Sequence, residues 1–165
     1  MSATTSPEIR AYESSIAALN INDIPTYLDH FTEDFEWTVL PKSAGFSVNR
    51  ETAPAILKAF ESFTKEAPFH AKIHRIIETK EAKPTLFVQA ESNGTTKAGT
   101  VWHNEYMYIV EFAPREGDRL PKIQKLTEFQ DGLSVTRFMQ QEAENAGDAS
   151  TDILNAAPAF GGQTA

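Results

Sequence analysis

Apolar residues recur at helical spacing at the start of the chain and at every second position toward its end. Ile9, Tyr12, Ile16 and Leu19 form a first helical stripe. Ser6-Pro7-Glu8 in front of it supplies a capping hydroxyl, a proline tolerated in the first turn and an acid near the positive end of the dipole. Asn20-Ile-Asn-Asp23 breaks that helix and caps the next, whose stripe is Ile24, Tyr27, Leu28 and Phe31, with Pro25 in its first turn. At Phe35 the period changes to two. Phe35, Trp37 and Val39 point one way and Glu36, Thr38 and Leu40 the other, in a short strand ended by Pro41 and a Gly/Ser-containing loop. Residues 50–64 return to helix, with Ile56, Ala59, Phe60 and Phe63 on one face.

From Phe69 strands dominate. Residues 69–78 set Phe69, Ala71, Ile73, Arg75 and Ile77 against His70, Lys72, His74, Ile76 and Glu78. Strands follow at 85–92, 101–113 and 120–130, with Asn93-Gly94 opening a hairpin loop. The pattern predicts a last short helix over 132–141, burying Leu133 and Phe138. Helices early and strands late define an α+β fold: a curved antiparallel sheet wrapped over three helices of the N-terminal half, leaving a one-sided cavity. The predicted domain covers residues 1–141. Residues 142–165, rich in Ala, Gly, Asn and Ser, read as a mobile tail.

Composition narrows the classes. A length of 165 residues suits one domain with a sizeable core. Aromatic content of 10%, with eleven Phe, leaves room for an apolar pocket. A net charge of −8 argues against nucleic acid or an anionic membrane as partner. The chain has no cysteine, which excludes disulfides, thiolate metal sites and a Cys nucleophile. Met-Ser-Ala-Thr-Thr-Ser-Pro-Glu lacks the basic and apolar regions of a signal peptide, and no apolar run approaches the roughly 18 residues of a membrane span. The expectation is a cytoplasmic protein.

Candidate chemistry centres on Trp102–Phe112 and Lys125–Gly132. One face of the first strand carries Trp102, Asn104, Tyr106, Tyr108, Val110 and Phe112; the other carries Val101, His103, Glu105, Met107 and Ile109. Alternation leaves open which face is inside. Asp131 has two readings. At the rim of an apolar cavity it is a general base or acid with a pKa raised by desolvation; before Gly132 and an amphipathic run it is a helix N-cap. His103 either assists Asp131 or, if the aromatic face is the inner one, stands on the surface or at a dimer contact. Tyr106, Asn104 and Tyr108 are candidate donors to a carbonyl or enolate, or ordinary core and interface residues. Glu128 is a candidate pocket residue, though alternation separates it from Asp131 and favours a cross-strand ion pair. Tyr27, Phe31, Trp37, Phe60 and Phe63 complete a predicted pocket wall, at spacings that equally describe core. His70 and His74 share a strand face but stand roughly 13 Å apart, which leaves no metal site. With no glycine-rich phosphate loop, no Gly-x-Ser-x-Gly elbow and no dinucleotide fingerprint, cofactor-free chemistry is expected.

Four stretches together carry a family resemblance: Ala17-Ala-Leu-Asn-Ile-Asn-Asp23, Leu28-Asp-His-Phe-Thr-Glu-Asp-Phe-Glu-Trp37, Trp102-His-Asn-Glu-Tyr106 and Lys125-Leu-Thr-Glu-Phe-Gln-Asp131. Over roughly residues 8–140 the chain resembles the SnoaL-like group of the nuclear-transport-factor-two-like superfamily. The resemblance implies a cone-shaped fold whose mouth admits a small, mostly apolar molecule, a homodimer formed through the outer sheet face, and catalysis in some members but not in others. It implies a SnoaL-type general base at Asp131. Ketosteroid isomerases carry their base acid near Val39 or Leu40 and their oxyanion-hole tyrosine near Ser15. Those residues cannot serve, so the resemblance argues against that mechanism. The function it implies is cofactor-independent isomerisation, cyclisation or dehydration of a small hydrophobic carbonyl compound; a non-catalytic ligand-binding or dimerisation module is the alternative.

Overall fold

Ten elements follow one another in the computed structural model, which describes residues 5–42, 45–63 and 70–146, with the side chains of 59–63 and 146 excepted. They are α1 (Pro7–Asn20), α2 (Ile24–Asp29), β1 (Phe31–Leu40), β2 (Ser47–Asn49), α3 (Ala53–Phe63), β3 (His70–Glu78), β4 (Thr85–Thr95), β5 (Val101–Phe112), β6 (Ile123–Gln130) and α4 (Gly132–Ala146). The strands form one curved, unclosed sheet in the order β2-β1-β6-β5-β4-β3. All pairings are antiparallel except β1 with β6, which is parallel, so the sheet is mixed rather than wholly antiparallel as the pattern predicts.

The helix starts obey local chemistry. Ser6 Oγ accepts from the Ile9 amide at 3.1 Å, and Asp23 Oδ1 accepts from the Thr26 amide at 3.1 Å. Asn20, at the end of α1, binds both backbone groups of Ala71: its Nδ2 donates to the carbonyl at 2.8 Å and its Oδ1 accepts from the amide at 2.7 Å. One side chain therefore fixes α1 to the sheet and satisfies part of the exposed edge of β3.

Four boundaries differ from the pattern, each for a visible reason. The second helix ends at Asp29 rather than running to Phe31, because β6 recruits the chain: the Ile123 amide donates to the His30 carbonyl at 2.8 Å and Phe31 pairs with Ile123. The loop after Pro41 holds the short strand β2. Gly45 makes this possible, since a Cβ there would overlap the backbone of Val39 and Pro41. In β3 the register shifts between Ile73 and Arg75, so Ile76 turns half-buried and Ile77 outward, the reverse of strict alternation. The last helix runs to Ala146, five residues into the predicted tail. Buried Glu142 accepts from Thr96 Oγ1 at 2.7 Å, and Asn145 Nδ2 donates to Thr100 Oγ1 at 2.9 Å. These bonds hold α4 to the β4–β5 loop. Residues 147–165, the rest of that tail, and the predicted strand start at Phe69 lie outside the described residues.

The core occupies the inner, helix-covered face of the sheet. Ala11, Tyr12 and Ala18 of α1, Tyr27 of α2 and Leu57 of α3 meet Phe31, Leu86, Val88, Val110, Ile123 and Leu126 of the strands. A second cluster joins Trp102 and Tyr106 to Val135 and Phe138 of α4. Among the described residues no helix is long and apolar enough to cross a membrane.

Candidate active site

The two clusters leave a cavity between them of about 150 Å³. A single water needs only about 10–15 Å³ on such a measure, so the space admits an organic molecule. The aromatic face of β5 is the inner one. Trp102, Tyr106 and Tyr108 line the cavity beside Leu126, Glu128 and Gln130 of β6, while His103, Glu105 and Met107 point to the outside. The antiparallel register sets Tyr108 opposite Glu128 and Tyr106 opposite Gln130. Tyr12, Ser15, Ile16 and Leu19 of α1 and Tyr27 of α2 close one side; Val135, Phe138 and Met139 of α4 close another. The four tyrosines of the chain, and both tryptophans, are all in this wall.

Glu128 is the group that gives the cavity chemistry. It is 6% exposed, and its Oε2 accepts from the indole Nε1 of Trp37 at 3.1 Å. Burial pushes its carboxyl up to about 8, with the Trp37 bond pulling the other way. Near neutral pH the carboxyl is therefore mostly protonated. An indole N–H only donates, so Oε2 must act as acceptor and the acidic proton belongs on Oε1. Trp37 is itself held by β1, which pairs it between Leu126 and Val48, and by an edge-on contact with Phe46 at 5.9 Å.

The tyrosines around it stay neutral. Burial raises the hydroxyls of Tyr12, Tyr27, Tyr106 and Tyr108 well above their ordinary value, and the Glu128 charge would raise each further. They serve as hydrogen-bond donors and not as bases. Tyr106 is fixed by Ser92: the two oxygens are 2.8 Å apart, and Ser92 Oγ also accepts from Trp102 Nε1 at 2.7 Å. Its ring stacks on Tyr108 with centroids 5.4 Å apart.

Of the candidate residues, Tyr27, Phe31, Trp37, Tyr106, Tyr108 and Glu128 line the cavity. The structure places three others elsewhere. Asp131 is exposed and caps α4: its Oδ1 accepts from the Leu133 amide at 3.0 Å and its Oδ2 from Ser134 Oγ at 2.6 Å. The Ser134 bond holds its carboxyl below the ordinary value, the opposite of what a general base in an apolar site needs. The inner face of β6 ends at Gln130, so the next side chain turns outward. His103 stands on the outer face, 3.9 Å from Glu91 Oε2, in a charged group with His74 and Lys72. Asn104 is buried but off the wall; its Oδ1 accepts from the Asp131 amide at 3.2 Å and the Glu105 amide at 2.8 Å, which fastens the β6–α4 junction. The side chains of Phe60 and Phe63 lie outside the described residues.

The expected cross-strand ion pair of Glu128 is replaced by the Trp37 bond, because its strand neighbours on the inner face are Tyr108 and Val39. Tyr12, Ser92, Trp102 and Phe46 are wall residues that the pattern did not single out as such. The signal for Trp102 was its place on the aromatic face; Ser92 had none. No group of three His, Asp or Glu able to hold a metal occurs among the described residues.

Comparison with solved structures decides the fold. The chain is similar to PrhC from Penicillium brasilianum (16% identity, TM-score 0.76, covering 91% of this chain and 97% of that one). It is similar to BvnE pinacolase from Penicillium brevicompactum (18% identity, TM-score 0.70, covering 84% and 95%). It is similar to an NTF2-like protein of unknown function from Burkholderia pseudomallei (16% identity, TM-score 0.66, covering 81% and 98%). The fold is nuclear-transport-factor-two-like. No family model matches the sequence, and no curated protein matches it. In nuclear-transport-factor-two-like terms, the cavity is the inside of the cone, and Glu128 stands on its sheet wall.

Proposed function

We propose that the protein is a cofactor-independent enzyme that transforms a small, hydrophobic, carbonyl- or hydroxyl-bearing molecule by acid–base chemistry, with Glu128 as the proton-transferring group. The observation that carries this reading is a single buried carboxyl, hydrogen-bonded to Trp37, in the wall of an aromatic cavity. An acid poised near neutral pH both gives and recovers a proton within one cycle. Tyr108, directly across the strand pair, and Tyr106, steadied by Ser92, are the nearest candidates to donate to a substrate oxygen. The fold serves a pinacolase in the Penicillium brevicompactum protein, and another similar chain, TerC, was co-crystallised with polyporic acid. Both support a small-molecule guest.

A second copy of the chain covers the outer face in this reading. Ile77, Phe87, Met107, Ile109 and Phe129 are exposed there on neighbouring strands. A contiguous apolar patch of this kind marks an interaction surface.

The test is turnover of a panel of neutral hydrophobic ketones, alcohols and epoxides by the wild-type protein and by Glu128→Gln. The expected result is conversion that falls at least about 100-fold in the variant with binding retained. Equal turnover by the two proteins would remove Glu128 from the mechanism.

A further inference from the structure

We infer that the cavity has two oxygen-binding stations and that Gln130 serves the second: its substrates are neutral molecules that carry another carbonyl or hydroxyl about 7 Å from the oxygen that meets Glu128. The first station rests on the reading of Glu128 as the reacting acid. The second is a specificity site that this reading does not require.

The spacing follows from the sheet. The antiparallel pair β5–β6 sets Tyr108 opposite Glu128 and Tyr106 opposite Gln130. All four residues line the cavity. Each rung of the ladder therefore joins a tyrosine to a side chain of one length and shape, an acid on the first rung and an amide on the second. Residues two apart on a strand project to the same side, and at about 3.3 Å per residue their heads stand about 7 Å apart.

Gln130 is 6% exposed, and its carboxamide makes no hydrogen bond to another described residue. A buried amide ordinarily has a partner, so this one is open to a guest. The other polar groups at this end are already engaged. Ser92 Oγ lies 2.8 Å from the Tyr106 hydroxyl and accepts from Trp102 Nε1 at 2.7 Å. Asn104 Oδ1 accepts from two backbone amides off the wall. A carboxamide both donates and accepts, so it takes a carbonyl or a hydroxyl equally. It does not titrate, so it holds an oxygen without exchanging a proton with it.

The surroundings set the rest of the substrate class. No lysine, arginine or histidine is among the described residues that line the cavity, so a carboxylate or phosphate at either station would be buried without a cation. Trp102, Val135, Phe138 and Met139 enclose the Gln130 end, so the skeleton between and beyond the two oxygens is apolar. A guest that lacks the second oxygen leaves the amide unpaired among these side chains, which costs on the order of ten- to a hundredfold in affinity.

The test is calorimetric titration of the full-length protein at pH 6 with 1-tetralone and 6-hydroxy-1-tetralone. They differ by one hydroxyl, placed across the fused rings from the ketone at close to the required spacing. The expected result is that the hydroxy ketone binds about tenfold or more tightly, and that Gln130→Met abolishes this preference while Glu128→Gln keeps most of it. The isomer 8-hydroxy-1-tetralone, whose oxygens are adjacent, should bind the wild type no better than 1-tetralone, which tests the spacing without any variant. Equal binding of the first two ketones overturns the inference. So does a preference that survives in a folded Gln130→Met protein, an equal preference for the 8-hydroxy isomer, or a failure of all three ketones to bind at millimolar concentration. Failure of the acid assignment reads out separately: equal turnover by the wild type and Glu128→Gln defeats that assignment and leaves the binding preference standing.

Discussion

Glu128 and Asp131 stand three residues apart at the end of one strand, yet they belong to opposite regions of the molecule. Glu128 points inward among aromatic rings, receives one hydrogen bond, and holds its proton to about pH 8. Asp131 points outward, receives hydrogen bonds from Leu133 and Ser134, and gives up its proton more readily than an ordinary aspartate. The same functional group keeps its proton on one side of the sheet and caps a helix on the other. What differs is which influence wins: desolvation at the first, hydrogen-bond donors at the second.

The comparison breaks first, and by the largest margin, through Glu128→Gln and stability against pH. The folded-state pKa of Glu128 lies above its ordinary 4.5, at about 8. Below the lower value the carboxyl is protonated in both states and carries no charge penalty. Between the two values the unfolded chain ionises first, so stability falls as pH rises, and above the upper value the whole penalty is in place. The gap corresponds to several kcal/mol, on the order of 4–5. The variant lacks this loss. Urea melts at pH 5 and pH 9 should therefore show Glu128→Gln gaining on the wild type by several kcal/mol between the two conditions. Parallel pH profiles for the two proteins would mean that Glu128 is not desolvated.

The outer face offers the next largest effect. Ile109 is 37% exposed and sits between Phe87 and Thr127 across the sheet. If a second copy covers this face, Ile109→Asp buries a charge in the interface of an already acidic protein, weakening association by roughly 2–5 kcal/mol. Sedimentation equilibrium should show a dimer for the wild type and a monomer for the variant, with the monomer's fold unchanged by circular dichroism. A wild-type monomer at tens of micromolar would leave the apolar patch to another partner.

Trp37→Phe keeps a ring in the wall and deletes the one bond that favours the ionised Glu128. A hydrogen bond to a charged group contributes about 1.5–3 kcal/mol, so the Glu128 titration should move upward from about 8 by on the order of one pH unit. Turnover that depends on the protonated acid should then extend to higher pH in the variant. No movement of the pH profile would show that the indole does not orient the carboxyl.

Much of the architecture was legible because periodicity reports it directly. Alternating spacing located the long strands and helical spacing three of the four helices to within a few residues, and alternation defines the aromatic face of β5 without fixing its direction. What alternation cannot state is which face is inner. That choice rests on packing between distant elements: α1, α2 and α4 all lie on the Tyr106 side. Once it is made, His103 goes outside and Glu128 inside with no further freedom. Of the two readings of Asp131, the structure shows the cap: at a strand end the period no longer constrains the side chain, and a capping bond to Ser134 is available. The bulge in β3 and the extension of α4 depend on contacts far apart in sequence, so local pattern could not show them.

Asp131 provides the smallest effect and the sharpest contrast. Asparagine caps helices about as well as aspartate, whereas alanine loses the cap at a cost of about 1 kcal/mol. Asp131→Ala should lower stability by that amount at pH 6. The loss should shrink as pH falls through the depressed pKa of the native aspartate, because a protonated carboxyl keeps the cap but not the part that its charge contributes. Asp131→Asn should stay within a few tenths of a kcal/mol of wild type. It cannot act as a base, however, so an enzyme that used Asp131 for proton transfer would lose nearly all turnover in this variant while remaining folded. With Glu128 in that role, Asp131→Asn should turn over substrate at the wild-type rate. A folded Asp131→Asn protein with activity reduced 100-fold, beside an active Glu128→Gln, would exchange the roles of the two carboxylates and move the chemistry from the inside of the cone to its rim.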